Sequence, residues 1–139
     1  MRIAVDSSVL LDVLTGDPQF GAASREALRQ AYDTGFLVAC DIVWSEVRAH
    51  FPEENAFRST LATLGVVYEP LRREAAALAG EVWREYCLAI RRKRDRDRVV
   101  ADFLIGAHAK LQTDALLTRD RGFFHNHFKG LRLIDPSEQ

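Results

Sequence analysis

Four carboxylates occupy positions where packing alone gives them little reason to be. Asp6 directly follows the apolar run Ile3-Ala4-Val5, and Asp120 comes three residues after Ala115-Leu116-Leu117, in Leu117-Thr118-Arg119-Asp120. Val43, Glu46, Val47 and His50 follow i, i+3, i+4, i+7 spacing, which puts Glu46 on the apolar side of a helix. There a glutamate must stay solvated at a rim, meet a cation or take up a proton. Asp102 lies in the first turn of a helix, one position off its apolar stripe, with Gly106 and Ala109 on its own side leaving room for an approaching group. Each acid also has a plainer role. Asp6 would cap a helix, Asp120-Arg121-Gly122 would form a turn, Glu46 would pair with an arginine, and Asp102 would meet the helix dipole.

Gathered on one rim, the four would repel one another and raise their own pKa values, a cost that a hard divalent cation removes. All-oxygen donors suit Mg²⁺, which usually needs only one or two protein carboxylates besides water and phosphate. Zinc fits poorly, because Cys40 and Cys87 are 47 positions apart and no Cys/His ligand spacing occurs. His125-x-His127 sits among Phe123, Phe124 and Phe128 and reads as packing or surface.

Short apolar runs alternating with helical periods supply the elements that would hold these acids. Strands are expected at Arg2–Val5, Phe36–Ala39, Val66–Tyr68 and Ala115–Leu117, with a possible fifth at Arg132–Ile134. Helices are expected from Ser7 to about Leu14, from the Asp17-Pro18 cap to about Thr34, from an Asp41 cap through His50, and from Pro52 to near Gly65. Two more run from Arg72 to about Arg91 and from Val99 to Leu111. The pattern predicts an α/β fold with a short, mostly parallel central sheet flanked by helices on both faces. In such sheets ligands gather outside the carboxyl ends of the strands, where Asp6 and Asp120 would both stand.

With 139 residues, the chain is expected to form a single domain, 1–139. No run approaches a membrane span, and the carboxylate after Ile3-Ala4-Val5 interrupts any secretory signal. A cytosolic protein with two buried thiols is expected. Trp44, Trp83 and Tyr86 read as core or dimer contacts.

The net charge of −1, from 19 Lys+Arg and 20 Asp+Glu, speaks against a nucleic-acid partner only if evenly spread, and it is not. Residues 91–98 hold six basic and two acidic side chains, a net of +4, so the remainder carries −5. Arg91, Arg92, Lys93, Arg94, Arg96 and Arg98 read either as a solvated helix end or as a clamp for phosphates beside Asp102.

The order Ile3-Ala4-Val5-Asp6-Ser7-Ser8-Val9-Leu10-Leu11-Asp12, Ser45-Glu46-Val47, Ala101-Asp102-Phe103-Leu104-Ile105-Gly106-Ala107-His108-Ala109 and Leu116-Leu117-Thr118-Arg119-Asp120-Arg121-Gly122-Phe123 resembles a PIN-domain ribonuclease. More narrowly, it resembles a VapC-type toxin of a VapBC toxin–antitoxin system, from Ile3 to about Ile134. The resemblance implies a three-layer PIN-like fold and a Mg²⁺-binding quartet, with Mn²⁺ as substitute, of Asp6, Glu46, Asp102 and Asp120. Ser7 and Thr118 match the hydroxyl positions that support it. It further implies a cytoplasmic endoribonuclease acting on structured RNA, either tRNA or rRNA. A homodimer and a VapB-type antitoxin joining it in a larger hetero-oligomer are implied too. The helices at 72–91 and 52–64 are the candidate surfaces for those partners.

Two other readings compete. A catalytically silent RNA-binding regulator would use the same pocket, and the complete quartet speaks against it. A phosphoryl-transfer domain of similar layout would follow its first strand with Asp-x-Asp, which Asp6-Ser7-Ser8 lacks, and would want a lysine near a late strand, where only Lys129 is available.

Overall fold

The apolar run Ile3-Ala4-Val5 lies at the centre of the sheet. The computed structural model describes residues 1–90 and 100–138. Strand β1 (Arg2–Val5) lies between β2 (Phe36–Ala39) and β4 (Ala115–Leu117), with β3 (Val66–Tyr68) and β5 (Leu133–Ile134) at the edges. All four pairings are parallel, in the order β3-β2-β1-β4-β5. One row of the sheet runs Val67, Val38, Ala4, Leu116, Leu133. The central strands are buried on both faces, so they need no polar alternation, and β4 reads simply Ala-Leu-Leu.

The chain first moves outward from β1 through α1 (Ser7–Leu14) and α2 (Gly21–Thr34) to β2, then through α3 (Asp41–Arg48) and α4 (Glu54–Leu64) to β3. It returns through α5 (Arg73–Ala89) and α6 (Val100–Gln112) to β4, and through α7 (Arg121–His127) to β5. Right-handed crossovers on the outward and return paths cover opposite faces, giving three layers. The reversal places a switch point between the carboxyl ends of β1 and β4.

Several local features differ from the expectations. The helix expected from Asp17-Pro18 begins at Gly21, because the Asp17 carboxylate caps a turn instead, accepting from the amides of Gln19 at 2.8 Å and Phe20 at 2.7 Å. Asp41 does not cap α3. It is the first helical residue, and its carboxylate accepts from the Leu71 amide at 2.7 Å and the Tyr68 hydroxyl at 3.2 Å. Helix α4 begins at Glu54 and ends at Gly65, whose φ of 74° is left-handed backbone. Helix α7 was not expected at all.

Cys40 is buried but Cys87 is only half-buried; both are free thiols. Trp44 packs within the molecule, its ring 5.0 Å from Phe57 and 5.4 Å from Tyr68, whereas Trp83 is exposed. Gly106 does not leave room beside Asp102. The Phe128 ring lies so close to it that any Cβ there would collide. The basic run 91–98 lies outside the described residues. No described helix is long and apolar enough to cross a membrane.

Helix α6 buries a histidine. His108 is 1% exposed, with Nε2 2.9 Å from Oε1 of Glu69, which also pairs with Arg2 and accepts from Gln112 Nε2 at 3.2 Å. Burial holds the imidazole down at about 4, and Arg2 and Arg72 push the same way against the opposing pull of Asp41. Glu69 does not reverse this, because Arg2 already balances its charge. The unfolded chain binds a proton near 6.5 that the folded chain refuses until about 4. The stability from neutral His108 is thus present above 6.5 and lost as pH falls toward 4, by about 3 kcal/mol in all. Urea unfolding of the wild type and His108→Gln between pH 4 and 7 checks this. The difference between the two stabilities should change by about 1 kcal/mol per pH unit within the window, and a constant difference would refute it.

Candidate functional site

At the switch point the backbone joins β1 to β4 just where the acids begin, with the Asp6 amide donating to the Leu117 carbonyl at 2.9 Å. Asp6 takes the N-cap position of α1, yet its carboxylate makes no capping bond. Two hydroxyls converge on its Oδ2 instead, Thr118 Oγ1 at 2.7 Å and Ser8 Oγ at 3.1 Å. Asp6 is 6% exposed. Burial raises its pKa, against the lowering effect of Thr118, Ser8 and the Ser7 amide, and Asp102 adds to the rise.

The direction of the Thr118 bond is set by its neighbour. The Asp120 amide donates to Thr118 Oγ1 at 2.9 Å, so the hydroxyl proton is directed to Asp6. Asp120 itself begins α7 as its N-cap residue, with no capping bond from its side chain. The segment Asp120-Arg121-Gly122, for which a turn is the plainer reading, is therefore the start of a helix.

Glu46 projects from α3 at the rim, while Val43 and Val47 of the same helix are buried. Its pKa is raised, first by desolvation and then by the charges of Asp6 and Asp102, against a hydrogen bond with Ser7. Asp102 stands half-buried in the first turn of α6. Asp6, Glu46 and Asp102 thus share one electrostatic neighbourhood although they come from three separate elements. Among the described residues, no three His, Cys, Asp or Glu side chains are gathered closely enough to hold a metal ion as they stand. The donor set nonetheless fits a hard cation, since it consists of carboxylates at a strand-end rim, where Asp102 raises the proton affinity of Asp6 and both raise that of Glu46.

Three residues of this region were not singled out from the sequence. Ser8 donates to Asp6, and Asp12 and Arg119 form an ion pair, with Arg119 Nε 2.5 Å from Asp12 Oδ2 and Nη2 2.9 Å from Oδ1. A signal for the pair existed, because Asp12 is the only charged residue in the α1 sequence Ser-Ser-Val-Leu-Leu-Asp-Val-Leu. His127 stacks among Tyr86, Phe103 and Phe123, as packing would have it, and His125 is exposed.

The chain is similar in fold to several solved structures. It shares 15% identity with a chain of VapBC2 from Rickettsia felis bound to a promoter DNA fragment, at a TM-score of 0.69 over 97% of this chain and 98% of that one. A toxin–antitoxin complex from Klebsiella pneumoniae matches at 19% identity and a TM-score of 0.64, over 96% and 97% of the two chains. Mycobacterium tuberculosis VapC20, a toxin that cleaves the sarcin–ricin loop, matches at 16% identity and 0.55, over 94% and 98%. No curated protein matches the sequence significantly. The PIN-domain family model matches residues 3–129, which is most of the chain, and the protein belongs to the PIN domain family.

Proposed function

We propose that this PIN domain is a Mg²⁺-dependent endoribonuclease, the VapC-type toxin of a type II toxin–antitoxin pair, acting on structured RNA such as tRNA or an rRNA loop. The observation that carries this reading is the buried Asp6 at the switch point, supported by two hydroxyls and destabilised in its charged form by burial and by Asp102. A carboxylate kept ionised there for structure alone would be paired with an arginine or lysine. This one is held by two hydroxyls, with the Asp102 carboxylate nearby and Arg119 bonded to Asp12 instead.

Asp6 and Asp102 would hold the principal ion, with Glu46 and Asp120 completing the shell directly or through water. When bound, such an ion lowers the pKa of water and draws charge from the phosphoryl oxygens. Ser7 and Thr118 orient the carboxylates of Glu46 and Asp6. Either Glu46 or Asp120 would also orient the attacking water. The RNA 2′-hydroxyl is then not the nucleophile, so cleavage leaves 5′-phosphate and 3′-hydroxyl ends. The basic residues 91–98 would neutralise RNA phosphates.

A VapB-type antitoxin and a second copy of the chain are the proposed protein partners. Similarity to chains from VapBC and toxin–antitoxin complexes supports the first. Exposed Trp83 and Leu88 on α5 offer apolar surface for either. The deciding experiment incubates the protein with tRNA and rRNA fragments under Mg²⁺, with EDTA as control, and sequences both new ends. Cleavage that survives EDTA, or 2′,3′-cyclic phosphate products, would overturn the reading.

A further inference from the structure

Arg119 lies between two residues of the proposed site, Thr118 and Asp120, but its side chain is used elsewhere. Its guanidinium is bidentate on Asp12, at 2.5 and 2.9 Å, a planar fork meeting a carboxylate that is 5% exposed. Ser24 Oγ of α2 donates to the same Asp12 carboxylate at 2.7 Å. The guanidinium also lies 4.1 Å from the Phe20 ring centroid, and Phe20 is held by the Asp17 carboxylate through its amide at 2.7 Å. Helix α1, through Asp12, and the turn before α2, through Phe20, therefore grip this one side chain, while α2 holds Asp12 through Ser24. Its backbone amide is 3.5 Å from Ser8 Oγ, the hydroxyl that donates to Asp6.

We infer that Arg119 and Asp12 form a positioning clamp for the proposed metal site: Arg119, pegged to α1 and to the turn before α2, fixes the segment 118–120 so that Thr118 meets Asp6 and Asp120 faces the rim. The inference rests on the functional reading above. A clamp of this kind depends on the fork geometry, which a lysine, with the same charge but a single ammonium, does not reproduce. A merely structural pair, there to neutralise buried Asp12, is served by either cation.

The test measures Mn²⁺ binding directly, by titration calorimetry or by the loss of free-ion paramagnetic signal, for the wild type, Arg119→Lys, and the double variant Asp12→Asn/Arg119→Gln. The double variant removes both charges, so no uncompensated buried carboxylate remains to unfold it. RNA cleavage is measured alongside. Both variants should fold, bind Mn²⁺ at least about tenfold more weakly, and lose kcat with KM for RNA little changed, in the range seen when partners of metal ligands are removed. Folded variants that bind Mn²⁺ as the wild type does would overturn the clamp and leave the nuclease reading intact. Restoration of wild-type affinity by lysine would also overturn it, since neutralisation of Asp12 would then suffice. A wild type that neither binds Mn²⁺ nor cleaves RNA would sink the functional reading, and the clamp with it.

Discussion

Asp6→Asn should abolish RNA cleavage, by at least about a hundredfold, while making the metal-free protein more stable. The two effects have one cause. Burial, assisted by Asp102, raises the Asp6 pKa above its ordinary value. For an acid, a raised folded pKa means that folding favours the protonated form. Its contribution is favourable at pH values below the unfolded pKa of 3.8 and is lost as pH climbs through the folded value. At neutral pH the ionised side chain is therefore a cost to folding. Asparagine has no charge to desolvate, and its amide oxygen still accepts from Thr118 and Ser8.

A divalent ion should reverse the order of stability. At a hundred times its dissociation constant, Mg²⁺ or Mn²⁺ adds about 2.7 kcal/mol to whichever protein binds it. Thermal unfolding of both proteins, in EDTA and in saturating Mn²⁺, reads this directly. The variant should melt higher in EDTA, and the wild type should gain far more from the ion. Equal gains by both would remove Asp6 from the metal site, and undiminished cleavage by the variant would remove it from the reaction.

The sequence alone made the scaffold legible and left most of the contacts within it unread. Strands β1 to β4 have the bounds that the sequence predicts, because each is a short apolar run with a glycine or a charge at one end or the other. Helix α7 was missed because its seven residues place Phe123 beside Phe124 and two histidines behind them, too short and too mixed to show a period. Asp17-Pro18 is a genuine cap signal, but the bond it supplies closes a turn before the helix begins. Gly106 reads as space in the sequence, although a missing side chain says nothing about which distant ring fills the place, here that of Phe128.

The site divides in the same way. Asp6 and Asp120 stand out because strand ends in a parallel sheet face one rim, whereas Thr118, whose hydrogen bond to Asp6 joins two of those ends, follows only from the family resemblance. Glu46 was found because a carboxylate among valines on one helix needs a reason. The Asp12–Arg119 pair spans 107 positions, and only folding shows which arginine answers the lone acid of α1. Direction and identity were readable from residue types, whereas distance was not.

Phe103→Ala should cost about 3–5 kcal/mol, a large share of the roughly 5–15 kcal/mol by which a domain of this size is stable. Phe103 is 0% exposed, and its ring stands 5.3 Å from Tyr86, 5.1 Å from Phe123, 5.6 Å from His127 and 6.5 Å from Phe128. It thereby ties α5, α6 and α7 together immediately after Asp102. Truncation would remove a buried aromatic ring and leave a cavity that these neighbours cannot readily fill, because Phe128 is already held against Gly106. Urea unfolding should show a lower midpoint with an unchanged slope. A loss under about 1 kcal/mol would mean that the aromatic cluster does not anchor α6. Phe103→Leu keeps much of the volume, so it should fold and cost less. If the ring also sets the first turn of α6, this folded variant should still bind Mn²⁺ more weakly than the wild type, because Asp102 moves with that turn.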